Sequence, residues 1–158
     1  MTVHPTKFGF TLPQRGVFFG VTTMDRMMAL AAEVDANPLF DSIWVGDSLL
    51  AKPRPDSLTL LGGLGTATRR LALGVGCMAS FPVRDPIIFA YQWATLDLMS
   101  RGRMLLAACT GIVAGGASAR TASPRTSRSA ASSGARIRVS YKGRFRSFED
   151  VTVMPRPL

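Results

Sequence analysis

The chain has 158 residues, 47% of them apolar and 18% charged, with a formal net charge of +9. That composition fits a single domain with one sizeable core. The longest near-continuous apolar stretch, Leu71–Val83, is broken by Gly74, Gly76, Ser80 and Pro82. It is too short to span a bilayer, and Met1–Lys7 lacks the apolar run of a secretory signal, so a cytoplasmic protein without membrane contact is expected.

In chain order, Lys7–Leu12 reads as a strand stopped by Pro13. Residues 23–36 read as a helix, with Thr23 as N-cap and Met24, Met27, Met28, Ala31 and Val34 at helical spacing. Asn37-Pro38 ends it. Ser42–Val45 is a short strand, followed by Gly46-Asp47-Ser48 and a proline-broken loop. Asp56 or Ser57 caps the next helix, which runs to about Thr68, and Leu71–Cys77 is the third strand. Asp85-Pro86 opens a helix that Gly102 closes after Ser100. Arg103–Cys109 is the fourth strand.

These strands are apolar runs rather than alternations, as in a parallel sheet covered by helices. They start about 30 residues apart, the size of a βαβ unit. A β-α-β-α-β-α-β series can be doubly wound or a (β/α)8 barrel. The doubly wound case usually carries a glycine-rich phosphate turn after its first strand. Here that place holds Pro13-Gln14-Arg15-Gly16, which favours the barrel. A barrel of this type needs eight strands in about 250 residues, and residues 1–111 supply four.

The charge is uneven. Residues 1–100 balance eight Lys/Arg against eight Asp/Glu, whereas residues 101–158 hold eleven Lys/Arg against Glu149 and Asp150. Residues 117–136 are six Ser, six Ala, four Arg, two Thr, one Gly and one Pro. That segment cannot supply the apolar stripe of a fourth helix and reads as disordered. Residues 117–138 are thus a low-complexity basic segment, either a linker that binds nucleic acid or the product of a shifted frame in a GC-rich gene; the shifted frame is the favoured reading. Residues 139–158 read as a hairpin, through Tyr141–Phe145 and Phe148–Val153.

Three segments resemble the luciferase-like monooxygenase family. They are Phe40–Asp47, Leu73–Met78 running into Arg84-Asp85-Pro86 and the string Leu96-Asp-Leu-Met-Ser-Arg-Gly-Arg103, and Tyr141–Phe148 with Pro155-Arg-Pro157. The resemblance covers residues 1–116 and 139–158, and it implies the first half of a (β/α)8 flavin- or F420-dependent oxidoreductase. The expected cofactor is FMN or F420 and the expected substrate a small organic molecule. With strands five to eight missing, the chain as it stands is expected to be truncated and impaired.

Barrel enzymes place their chemistry at the C-terminal strand ends, here Pro13–Gly16, Gly46–Ser48, Gly76–Met78 and Cys109–Gly111. The resemblance implies Asp47 and Cys109 as catalytic residues near the reactive ring, with Ser48 standing where the family often has His. It implies Gly76, Cys77, Thr110 and Gly111 as cofactor contacts, with a bulge or unusual peptide at Gly76-Cys77. Each has a plainer alternative: Asp47 as a loop cap, Cys77 and Cys109 as small buried apolar residues. Two cysteines exclude a disulfide scaffold and point to a reducing compartment, and one histidine, His4, leaves no metal site to expect. The competing functions are a basic nucleic-acid-binding fragment, disfavoured because residues 117–136 contain no aromatic for base stacking, and a half-barrel that self-associates or pairs with an intact homologue.

Overall fold

The computed structural model describes residues 6–48, 52–109, 139–142 and 147–151. Four parallel strands, β1 (Gly9–Thr11), β2 (Ser42–Asp47), β3 (Ala72–Met78) and β4 (Met104–Ala108), form one sheet in the order β1-β2-β3-β4. Between them run α1 (Arg15–Phe18), α2 (Met24–Ala36), α3 (Ser57–Ala67) and α4 (Pro86–Ser100). The order never reverses, so there is no switch point of the doubly wound kind, and the progression is that of a βα barrel. β5 (Val139–Lys142) and β6 (Ser147–Val151) pair antiparallel, at the place expected for the hairpin. The 117–136 segment lies outside the described residues.

The helix starts follow from local capping. The Thr23 hydroxyl accepts from the Arg26 amide at 3.2 Å, the Asp56 carboxylate from the Thr59 amide at 2.9 Å, and the Asp85 carboxylate from the Ile87 amide at 3.0 Å. Of the two residues expected to cap α3, Asp56 does so. At the end of α4, Arg101 and Gly102 both take left-handed backbone, with φ of 63° and 76°, so the turn begins one residue before the expected glycine. Two short elements carried no sequence signal: α1 after Pro13, and a single 3-10 turn at Phe81–Val83.

One sheet face packs on the helices. Ile43, Val45, Leu73 and Val75 meet Met27, Ala31 and Val34 of α2, Leu58, Leu61 and Leu64 of α3 and Phe89 and Leu96 of α4 in one buried cluster. Met24, placed at helical spacing with Met27, Ala31 and Val34, is 40% exposed instead. The other face carries small residues together with Trp44 and, opposite Gly74, the exposed Leu105. Trp44 lies across β1 and β3, where a Cβ on Gly9 would stand 2.7 Å from its Nε1 and a Cβ on Gly74 would strike its six-membered ring. Glycine is therefore required on both neighbouring strands for Trp44 to lie flat.

The N-terminal ends of the strands are held by two polar clamps. Arg103, just before β4, donates to Ser100 O at 2.6 Å, Leu71 O at 2.6 Å, Thr68 Oγ1 at 3.0 Å, Thr68 O at 2.9 Å and Gly65 O at 3.0 Å. A guanidinium has five N–H donors, and all five are used. Asp35, at the end of α2, accepts from the amides of Arg69, Arg70 and Leu71 at 2.8, 3.0 and 3.0 Å. Arg70 returns to the same turn, donating to the carbonyls of Asp35, Asn37 and Phe40. Burial pulls the Asp35 carboxyl up, but the amides of Arg69, Leu71 and Arg70 and the charge of Arg103 outweigh it, and the group ends below its ordinary value.

Two outcomes follow from these clamps. Replacing Arg103 by Met strands several carbonyls and is expected to cost roughly 3 kcal/mol in urea unfolding followed by tryptophan fluorescence, while Arg103→Lys restores less than half because an ammonium cannot fan to three elements. Because the folded Asp35 carboxyl titrates below its unfolded value of about 3.9, it stabilises the chain above that pH, and the contribution fades as pH falls through the folded value. The stability difference between wild type and Asp35→Asn should therefore be constant near neutrality and shrink below about pH 4; a difference that persists undiminished into acid contradicts the clamp.

Candidate functional site

The C-terminal ends of the four strands converge on one side of the sheet. At the end of β1, the buried Gln14 side chain accepts from the Gly46 amide and donates to Pro55 O at 3.3 Å. It ties three loops together. The Arg54 guanidinium lies over Gly46, in the space a Cβ would fill.

Asp47 ends β2, and a register irregularity between Gly46 and Asp47 turns it out of the regular ladder. It is 8% exposed. Its Oδ1 accepts from the Ser57 hydroxyl at 3.0 Å and its Oδ2 from the Ser80 amide at 2.7 Å. Arg84 approaches Oδ1 at 3.8 Å, donates through Nε to Ser80 Oγ at 2.7 Å, and pairs with Asp56 at 3.2 Å. The carboxylate thus ties the end of β2, the start of α3 and the loop after β3 into one polar knot. Asp56 shows the same balance as Asp35: burial raises its carboxyl, and Thr59 with Arg84 brings it below the ordinary value.

β3 carries the expected irregularity. The register with β4 shifts between Val75 and Met78, so Gly76 and Cys77 form a bulge. Cys77 takes φ of 57°, a left-handed conformation that costs a non-glycine residue on the order of 1 kcal/mol or more. The bulge exposes both residues between a buried Val75 and a buried Met78. A Cβ on Gly76 would meet nothing nearer than 3.8 Å, so the strand offers bare backbone to the mouth.

Cys109 follows β4, and its Sγ lies 2.9 Å from Cys77 Sγ. The two are thiols, not joined in a disulfide. The Cys77 thiol is pushed above its ordinary value, first by the hydrogen bond with Cys109, then by burial, by the charge of Cys109 and by the charge of Asp47.

The structure therefore brings Asp47, Gly76, Cys77 and Cys109 to one end of the sheet, while Thr110 and Gly111 lie outside the described residues. Sequence reasoning missed Gln14, Ser57, Ser80 and Arg54 as neighbours of these strand ends. Gln14, Arg54 and Ser80 were marked only by their position in loops after predicted strands, and Ser57 only as a possible cap of α3, which it opens. Among the described residues no group of three or more His, Cys, Asp or Glu is placed to hold a metal ion, and no helix is long and apolar enough to cross a membrane. A separate groove of about 400 Å³ lies between α3 and α4, lined by Asp56, Leu58, Gly62, Tyr91 and Leu96 among others, and includes none of the strand-end residues.

Comparison with known proteins agrees with this architecture. The family model for luciferase-like monooxygenases matches residues 6–158. An F420-dependent glucose-6-phosphate dehydrogenase of Nakamurella multipartita is 32% identical over 116 residues, covering 70% of this chain and 32% of its own length. The monooxygenase RslO1 of Streptomyces bottropensis superposes with a TM-score of 0.81 at 22% identity, over 96% of this chain and 50% of that one. The oxygenating constituent of 3,6-diketocamphane monooxygenase of Pseudomonas putida, solved with FMN, gives 0.72 at 13% identity, over 92% of this chain and 44% of that one. The chain spans about a third of the curated relative and half or less of these solved chains, and its four parallel strands correspond to the N-terminal half of their barrel. The chain belongs to the luciferase-like monooxygenase family.

Proposed function

We propose that this chain carries the first half of the site of a flavin- or F420-dependent oxidoreductase acting on a small organic substrate. One observation carries the reading: the bulge at Gly76-Cys77 presents exposed, side-chain-free backbone at the C-terminal end of a buried strand. That is where βα barrels do their chemistry, and a flat ring needs such an approach. The match to a family whose solved relatives include an FMN complex supports it.

FMN or F420, when bound, supplies the redox chemistry of its tricyclic ring. The chain's own residues supply the setting. Gly76 and Cys77 would bear on the ring, and Cys109, 2.9 Å from Cys77, would sit at its edge; Thr110 and Gly111 complete the contact by family resemblance. Asp47 acts as a positioning residue. Its oxygens are engaged by Ser57 and Ser80, so it fixes the loop that frames the ring and sets a negative charge beside Cys77. We place the domain limits at residues 1–116 for the βα units, 117–138 for the basic segment and 139–158 for the hairpin. β4 is an edge of the four-stranded sheet, with Leu105 41% and Leu106 37% exposed, and it is the surface we propose for self-association or pairing with a barrel homologue.

Titration with FMN and with F420, each followed by its own fluorescence, tests the ring site. A Cβ on Gly76 makes only ordinary contacts, 3.8 Å to the Trp44 ring and 3.9 Å to Val45 O, so Gly76→Ala should fold normally. It is expected to weaken binding roughly tenfold by displacing the ring a methyl's width; unchanged affinity would place the ring elsewhere. Asp47→Asn keeps the carboxylate's shape and removes its charge. It should lower the Cys77 thiol's titration point, since that charge helps hold the thiol up, read as a shift of the alkylation-rate profile to lower pH. A profile that stays in place assigns Asp47 to loop architecture alone.

A further inference from the structure

We propose that Cys77 and Cys109 are a dithiol modification site, converted by a hydroperoxide into a single intrachain disulfide that staples the ends of β3 and β4 together. The proposal rests on geometry and stands whether or not a ring binds at Gly76.

Three observations support it. The sulfurs lie 2.9 Å apart although the residues are separated by 32 positions in sequence, so closing an S–S bond of about 2.05 Å requires little sulfur movement. Cys77 lies in β3 and Cys109 directly follows β4, its parallel neighbour, and strands about 4.8 Å apart bring such positions near the α-carbon spacing of about 4.4–6.8 Å that a disulfide needs. Access is open as well, since Cys77 is exposed and Cys109 half-buried. The β3 bulge is the cause of the juxtaposition. It sets the register one step off between Val75 and Met78 and gives Cys77 its left-handed backbone.

The chemistry balances as two thiols and one hydroperoxide giving one disulfide, one water and one alcohol, or two waters from hydrogen peroxide. With hydrogen peroxide, one sulfur attacks a peroxide oxygen, breaking the O–O bond and leaving a sulfenic acid as the first water departs. The second sulfur attacks that sulfur, forming the S–S bond and expelling the sulfenic oxygen as the second water. Each sulfur is oxidised by one electron, and the peroxide takes up both. The Cys77 thiol is held in its protonated form by the hydrogen bond to Cys109 and by burial, which makes the first step slow and dependent on peroxide concentration.

These two are the chain's only cysteines, so intact mass after treatment of the reduced full chain with hydrogen peroxide reads the site directly. The expected product is a monomer lighter by two hydrogens, with both cysteines lost to alkylation together and restored by dithiothreitol. Because the fold supplies the proximity, the disulfide should form at least about tenfold faster in the native chain than in urea. In Cys77→Ser, Cys109 should stop at a sulfenic acid. Equal rates with and without urea would overturn the proposal. So would sulfinic acid on Cys77 with Cys109 still alkylatable, or disulfide found only between chains.

Discussion

Arg103 satisfies all five of its donors on three elements at once: the end of α4, the carbonyl of Leu71 at the threshold of β3, and the end of α3 at Gly65 and Thr68. The parallel sheet cannot be assembled without some such device. Each helix must stop and each following strand must start on a fixed line, and carbonyls at helix ends have no partner of their own. One planar guanidinium supplies partners to two helix ends and aligns two strands, which an ammonium could not do. Ser100 and Asp97 extend the clamp: the Ser100 hydroxyl accepts from the Arg103 amide at 3.3 Å and an Asp97 oxygen from the Met104 amide at 3.3 Å. Asp35 and Arg70 do the parallel task one unit earlier, between α2 and β3. With strand starts pinned in this way, the opposite strand ends are free to be irregular.

This division explains what the most telling string in the sequence reports. Leu96–Arg103 marks the family, yet the bonds of the Arg103 clamp, Ser100 and Asp97 included, serve the N-terminal side of the sheet. In a βα barrel that side governs stability and the other side chemistry. The string therefore identifies an architecture, and the reaction has to be argued from Gly76, Cys77, Cys109 and the Asp47 knot. Those residues are held by side-chain bonds between loops, the kind of support that loop sequences can change without disturbing the sheet.

What was legible in the sequence was local. The caps at Thr23, Asp56 and Asp85 act on amides two or three residues away, so composition and spacing reveal them, and with them the four βα units. Asp47 is different. Its partners are 10 and 33 residues distant, and the choice between a carboxylate that faces a ring and one that braces a loop depends on a register shift at Gly46/Asp47 that no local pattern encodes. Arg84, from the Arg84-Asp85-Pro86 segment, joins that knot through Ser80 and Asp56. Trp44 packs across both neighbouring strands, but its need for Gly9 and Gly74 appears only when the strands are laid side by side. The short α1 followed a proline in a loop of no periodicity.

The bulge at Gly76-Cys77 shows how the two ends of the sheet depend on each other. A left-handed non-glycine residue and a broken ladder are both costs, and they persist only where the surroundings over-determine them. Here the determination comes from both sides. Val75 and Met78 are fully buried anchors on either flank. The Asp47 carboxylate grips the Ser80 amide two residues beyond Met78, and Leu73 at the other end bonds Arg103 O at 2.8 Å. Between these fixed points the strand must accommodate one residue more than its neighbour, and the excess is expelled as the bulge. Glycine at 76 leaves the backbone bare there, and cysteine at 77 is thrown toward the next strand, against Cys109. The exposed backbone and the close pair of thiols are thus two consequences of one register shift, itself maintained by a clamp at the far end of the sheet.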